Sequence, residues 1–213
     1  MKDLRACFSG RVHGRRRRLP YPVIERGDGT QVVTIRNAYG VVVQRSRIVD
    51  DREYVLYYAP ELYEDDDYVW RDPALDLPPM RLTVPLDEYI IDTSSDPDRD
   101  YYEFLEQPPV EKVERVYSLD EVLYSARIRD KARRIDLDTI TFATGSAEIP
   151  MNEARSLRKV AEAMEKILDE NPAEVFLIEG HTDAVGSEEA NLALSDRRAE
   201  GVATALTNVF GIP

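Results

Sequence analysis

Gly180-His181-Thr182-Asp183 and, further along, Arg198 place a carboxylate and a guanidinium fifteen positions apart, with the amide of Asn191 between them. Two such charges can pair as a structural salt bridge, or Asp196 can neutralise Arg198 locally, or the two poles can stand apart for a ligand. His181 invites a metal reading. The chain has only His13 beside it, so a zinc site would need carboxylates for its other ligands, and no metal and no cofactor is expected.

A hydrolase would need a nucleophile, and none presents itself. Ser156-Leu157-Arg158-Lys159 has the S-x-x-K form of penicillin-binding enzymes, but Leu157 and Val160 set it along a helix and no S-D-N or K-T-G partner follows. There is no G-x-S-x-G elbow, and the single Cys7 lies in an arginine-rich tail and excludes an internal disulfide. The chain reads as a binding protein and not an enzyme.

The elements that must position these residues follow from periodicity. Leu157, Val160, Ala161, Met164, Ile167 and Leu168 recur at helical spacing between Pro150 and Asn171-Pro172. Val175-Phe176-Leu177-Ile178 is a continuous apolar run too short for a helix, so it reads as a buried strand running into the Gly180 motif. Asp183 then sits just past a strand's carboxyl end, a usual crevice position. Ser195 offers an N-cap, which puts Arg198 in the first turn of a helix striped by Ala199, Val202, Ala203, Leu206 and Phe210 and stopping at Gly211. A cation there opposes the helix dipole unless an anion arrives. Upstream, Ile140 and Phe142 alternate with Thr139 and Thr141 as a short strand ended by Gly145-Ser146, and Ser118-Leu119-Asp120-Glu121 fits a capping box.

The remaining chain divides by composition. Residues 1–20 are a basic tail, and residues 21–58 alternate as three short antiparallel strands with Asn37–Gly40 and Asp50-Asp51 as turns. Residues 59–117 are acidic and proline-rich, an expected linker, and 118–213 form the C-terminal domain. Seven of the 28 basic residues lie in residues 1–18, against one of the 41 acidic ones, so the body is strongly acidic. Nucleic acid binding would rest on Arg15–Arg18 alone and is not expected. No run is long and apolar enough for a transmembrane helix, and the first twenty residues lack a signal peptide's apolar region. Leu4-Arg5-Ala6-Cys7 is a poor lipobox because of Arg5.

Gly180-His181-Thr182-Asp183, Gly186, Asn191, Leu194-Ser195 and Arg198-Ala199, with Ile140-Thr141-Phe142 and Gly145-Ser146-Ala147, stand in a shared order and spacing. In these motifs residues 138–213 resemble the OmpA C-terminal family, which includes peptidoglycan-associated lipoproteins and flagellar stator proteins. The resemblance implies an α+β fold, a β-α-β-α module preceded by the small β-meander and linker. It also implies non-covalent binding of peptidoglycan through the diaminopimelate of the peptide stem. Asp183 and Arg198 match the family's central pair, and Asn191, Thr182 and Phe142 are the further ligand-binding positions carried over. The chemistry agrees: the free end of diaminopimelate carries an ammonium and a carboxylate, so its receptor needs an anion and a cation at fixed separation.

The chain departs from the family at two places. Ala143 stands where many members have an acidic residue, which removes one ammonium contact. The family module also continues with a strand, a helix and a strand beyond the second long helix, so the expectation is a C-terminally truncated module whose strand Val175–Ile178 lacks neighbours. The resemblance implies a periplasmic, outer-membrane-associated protein; with no signal peptide in the sequence, either the protein is cytoplasmic or its true start lies upstream of Met1, and the resemblance favours the second. A competing reading is a structural or interaction protein of the envelope that offers the 21–58 strands to a partner, with an inert C-terminal module.

Overall fold

The computed structural model describes residues 23–25, 29–63, 70–115, 117–182 and 186–213. The basic tail 1–20, the Glu64–Asp67 run and Asp183 lie outside the described residues.

Four strands, β1 (Val23–Glu25), β2 (Gln31–Arg36), β3 (Val42–Val49) and β4 (Arg52–Tyr58), form an antiparallel sheet in sequence order. The three expected strands are joined by the short β1. Asn37 shapes the β2–β3 turn, its side-chain oxygen accepting from the N–H groups of Tyr39 and Val41 at 3.0 and 3.1 Å. Asp50 and Asp51 both hold positive φ, 50° and 60°, as a two-residue hairpin turn needs if its twist is to match the strands. Val43, Ala59 and Leu62 make a small core under this sheet.

The larger core is assembled from both sides of the expected linker boundary. β5 (Ile90–Asp92) pairs in parallel with β6 (Arg134–Asp136), and between them lie α1 (Tyr101–Leu105), α2 (Leu119–Tyr124) and α3 (Ala126–Arg129). Asp100 caps α1 by accepting from the Glu103 N–H, and α1 then buries Tyr101 and Phe104. Residues 86–110 are therefore not extended linker throughout. Their apolar side chains, spaced between prolines and acids, are buried only because a distant helix covers them. That helix follows α4 (Met151–Ala154) and is α5 (Arg158–Glu170), whose buried face is the expected one. Last comes α6 (Glu188–Phe210), closed by Gly211 at φ 74°. Ile91, Phe104, Leu157, Met164, Val202 and Leu206 meet in one cluster.

The fold is α+β, as expected, but neither strand of the expected β-α-β-α order is hydrogen-bonded as a strand. Thr139–Phe142 and Val175–Ile178 run without a ladder. Val175 and Leu177 are 52% and 45% exposed, while Phe176 and Ile178 pack on the core. The apolar run is one-faced, and the buried central strand it suggested would need both faces covered. The Ser118 capping box of α2 is present in both directions. Among the described residues no helix is long and apolar enough to cross a membrane.

Behind α3, Lys131 is 2% exposed and donates to Glu111, Glu114 and the Lys112 carbonyl at 3.2, 3.0 and 2.8 Å. Bonds from the Tyr117 hydroxyl and the Lys131 ammonium hold the Glu114 carboxyl down at about 2. A depressed carboxyl contributes stability above its unfolded pKa and loses it as pH falls through the folded value. Acid titration should therefore show a stability loss between roughly pH 4.5 and pH 2, and that loss should be smaller in the Glu114→Gln variant.

Phe104→Ala should destabilise the chain by about 3–5 kcal/mol, the usual cost of emptying a buried phenylalanine site. It should lower the melting temperature of the segment containing α5 and α6, as followed by hydrogen exchange there. Unchanged exchange in α5 would show that α1 is not part of that core.

Candidate functional site

Two stretches of backbone, residues 146–149 and 180–182, lie against α6. The helix begins earlier than expected: Ser187 is its N-cap, with its hydroxyl accepting from the Ala190 N–H at 3.2 Å and Glu188-Glu189 in the first turn. A serine followed by two acids suits the positive end of the dipole better than Ser195-Asp196 does. Ser195 is interior, its hydroxyl donating to the Leu192 carbonyl at 2.8 Å. Arg198 therefore lies deep in the helix and not in its first turn. The expected conflict with the helix dipole, and the expected free backbone N–H beside it, fall away.

Two glycines let the flanking backbones touch this helix. A Cβ on Gly180 would stand 2.0 Å from the Ser195 carbonyl oxygen, and one on Gly201 would stand 2.8 Å from the Ala147 oxygen. Both distances are closer than non-bonded atoms tolerate. Only glycine at these positions lets the 180–182 segment and the 146–149 segment lie on opposite ends of the same helical stretch. Gly180 belongs to the recognised motif. Gly201 escaped the sequence reading, although a glycine inside a helical pattern is itself a signal of close approach.

Arg198 closes the space between those segments. Its Nε donates to the Ser146 carbonyl at 3.1 Å and its Nη1 to the His181 carbonyl at 3.3 Å, while Cζ lies 4.8 Å from the centroid of the Phe142 ring. The ring face holds the cation by its quadrupole, and the carbonyls fix the plane of the fork. No carboxylate pairs with Arg198 among the described residues, Asp196 included. Thr182 follows His181 directly and is half-buried. Asn191 lies two helical turns before Arg198, hence on the same face of α6, with its amide beside Gly186. The structure thus brings Phe142 and Arg198 together, leaves Thr182 next to the residue whose carbonyl holds Arg198, and sets Asn191 along the same face of α6. Asp183 is outside the described residues.

The other features play no part in this cluster. Ser156 donates to the Glu153 carbonyl and Lys159 to the Pro97 carbonyl, so the S-x-x-K residues do not engage each other. The His181 side chain is exposed, and it is the residue's carbonyl that holds Arg198. An open groove of about 420 Å³ borders the Gly201 contact, and none of Phe142, Thr182, Asn191 or Arg198 lines it.

The family model described as "OmpA family" matches residues 141–213, the stretch that contains every member of this cluster. Residues 141–213 are an OmpA-like domain. Outer membrane porin F of Pseudomonas aeruginosa is 32% identical to the chain over 79 residues, 37% of this chain. The chain spans about a fifth of that relative's length, 21%. No solved structure matches the chain. OmpA-type domains are non-enzymatic modules associated with peptidoglycan. The match therefore supports a general cell-wall-binding role for the OmpA-like domain and an association with the cell envelope.

The glycine contacts give a direct test of this architecture. Gly180→Ala forces a carbon onto the Ser195 carbonyl and should cost about 3 kcal/mol, the upper end of overpacking penalties. Gly201→Ala should cost less, because it recovers about 1 kcal/mol of helix propensity against a milder clash. Denaturant unfolding of the two variants reads the difference; equal stabilities would contradict the geometry around α6.

Proposed function

We propose that the OmpA-like domain binds the peptide stem of peptidoglycan without covalent chemistry, through the diaminopimelate residue, and so holds an envelope protein against the cell wall. The observation that carries this reading is Arg198, a guanidinium fixed by two carbonyls and an aromatic face, with no carboxylate partner among the described residues. Those contacts occupy Nε and Nη1 and leave Nη2 without a partner among the described residues. A ligand carboxylate completes such a fork better than water does.

Asp183 supplies the opposite pole, for the diaminopimelate ammonium, one residue beyond Thr182. Asn191 adds an amide contact from the same face of α6, and Phe142 both seats Arg198 and walls the site. The protein then belongs on the periplasmic side of the outer membrane.

Replacing Arg198 by Ala should weaken binding of a monomeric diaminopimelate stem peptide by about 2–4 kcal/mol, as for charge-assisted bonds left unmade. Arg198→Lys should not restore it, because the fork geometry is lost. Asp183→Ala should behave like Arg198→Ala. A lysine-type stem, which lacks the terminal carboxylate, should bind weakly to the parent. Calorimetric titration of the soluble peptide is the measurement, since many weak sites on a whole sacculus would mask a single-site loss. Folded variants that bind as tightly as the parent would sink the assignment.

A further inference from the structure

The Trp70 and Tyr124 rings meet edge to face, with centroids 6.1 Å apart and planes at 86°. They are 40% and 67% exposed. The pair stands on a braced base. Asp72 caps a short 3-10 turn, Pro73–Asp76, by accepting from the Ala74 N–H at 2.9 Å, and Arg71 beside Trp70 pairs with Asp76 at 3.0 Å on the surface.

A continuous set of contacts ties this pair to the Arg198 cluster. Arg129 donates to the Val122 and Leu123 carbonyls at 3.2 and 2.7 Å, closing the last turn of α2, where Tyr124 sits. The same guanidinium forms an ion pair with Glu179. Glu179 lies two residues before His181, whose carbonyl holds Arg198. These links span at most about 25 Å, given the reach of two residues of backbone and the side chains between.

We infer that Trp70 and Tyr124 form a glycan subsite, stacking an N-acetylated amino sugar of the same polymer whose peptide stem enters the Arg198 site. The inference rests on the proposed function, which supplies the polymer. The chemistry selects a neutral glycan. A pyranose presents an apolar C–H face that fits an aromatic face and a polar edge that needs donors and acceptors nearby, and the Arg71–Asp76 pair offers both. The sugar ring is uncharged, so the formal net charge of −13 does not oppose its approach to the two aromatics. The stem is covalently joined to the glycan strand, so contact at both places makes the second binding event intramolecular.

Trp70 is the chain's only tryptophan, so its emission reports on this place alone. The full chain is titrated with a β-1,4-linked N-acetylglucosamine tetramer, which carries no peptide, up to about 10 mM, a range suited to weak stacking contacts. The expected result is a saturable change in Trp70 emission, with affinity reduced about tenfold in Tyr124→Ala and retained in Tyr124→Phe, both read by calorimetry. A muropeptide carrying sugar and stem together should bind at least about tenfold more tightly than the free stem peptide, and Tyr124→Ala should erase that gain. Emission unmoved by the tetramer, or a Tyr124→Ala variant that binds it like the parent, overturns the subsite. If the tetramer fails while the stem peptide still binds, only the subsite is lost. If the tetramer binds and the stem peptide does not, the Arg198 reading falls and, with it, the linkage to a common polymer.

Discussion

Backbone-to-backbone contact across α6 is the constraint from which the rest of the site follows. A helix normally keeps neighbouring chain at the distance its side chains impose, about 8–10 Å between axes for helix pairs. At Gly180 and Gly201 that spacer is absent, and carbonyl groups of Ser195 and Ala147 stand where side chains would be. The two flanking segments can then lie close enough together that one guanidinium spans them. Any side chain at Gly180 would push the His181 carbonyl outward and leave Arg198 with a single anchor. The Gly-His-Thr-Asp motif thus begins with the residue that controls distance, before it offers any group to a ligand.

The electrostatics of Arg198 follow from what surrounds it. Carbonyl oxygens and a ring face orient a cation without cancelling its formal charge, whereas a carboxylate would do both. Burial of the guanidinium is only partial, so the desolvation cost stays small in the free protein. The same carbonyl anchors limit the rotamers that Arg198 can sample. Less side-chain entropy would then be lost on docking of the proposed carboxylate, which is how preorganisation contributes to affinity.

Local signals were the most legible part of this sequence. The capping box at Ser118, the apolar face of α5, the Gly211 stop and the turns at Asn37 and Asp50-Asp51 each depend on residues within one or two turns of each other, and each formed. The start of α6 was misread because Ser195-Asp196 and Ser187-Glu188 both carry capping chemistry. Local chemistry alone does not rank them. The helix extends through Ser195 because Ser187 has two acids after it and no proline intervenes before Gly211. The failures at Val175–Ile178 and at residues 86–110 are of another kind, since pairing and burial there depend on partners far away in sequence. Phe104 is hidden by α5, more than fifty residues on, and no window around Tyr101–Leu105 contains that information.

At the site itself, residue types could be read from the motif while the way they act could not. Arg198 was legible as a cation, but its supposed helix-start position would have made backbone N–H groups part of the receptor. In the structure those N–H groups are committed to the helix ladder, and the proposed receptor rests on a side chain seated on carbonyls. The difference has a physical consequence for selectivity. An N–H cluster at a helix start accepts many anions, because its donors converge on a point. A single planar guanidinium, fixed by Ser146, His181 and Phe142, would instead offer Nη2 to the proposed carboxylate from one direction. Holding the fork that way requires the whole chain of supports behind it: Gly180 against Ser195, the Val202 and Leu206 face of α6 in the core, and α5 packed on α1. The acidic, proline-rich residues before Ser118 therefore stand behind the site, because α1 packs on α5 and α5 packs on α6.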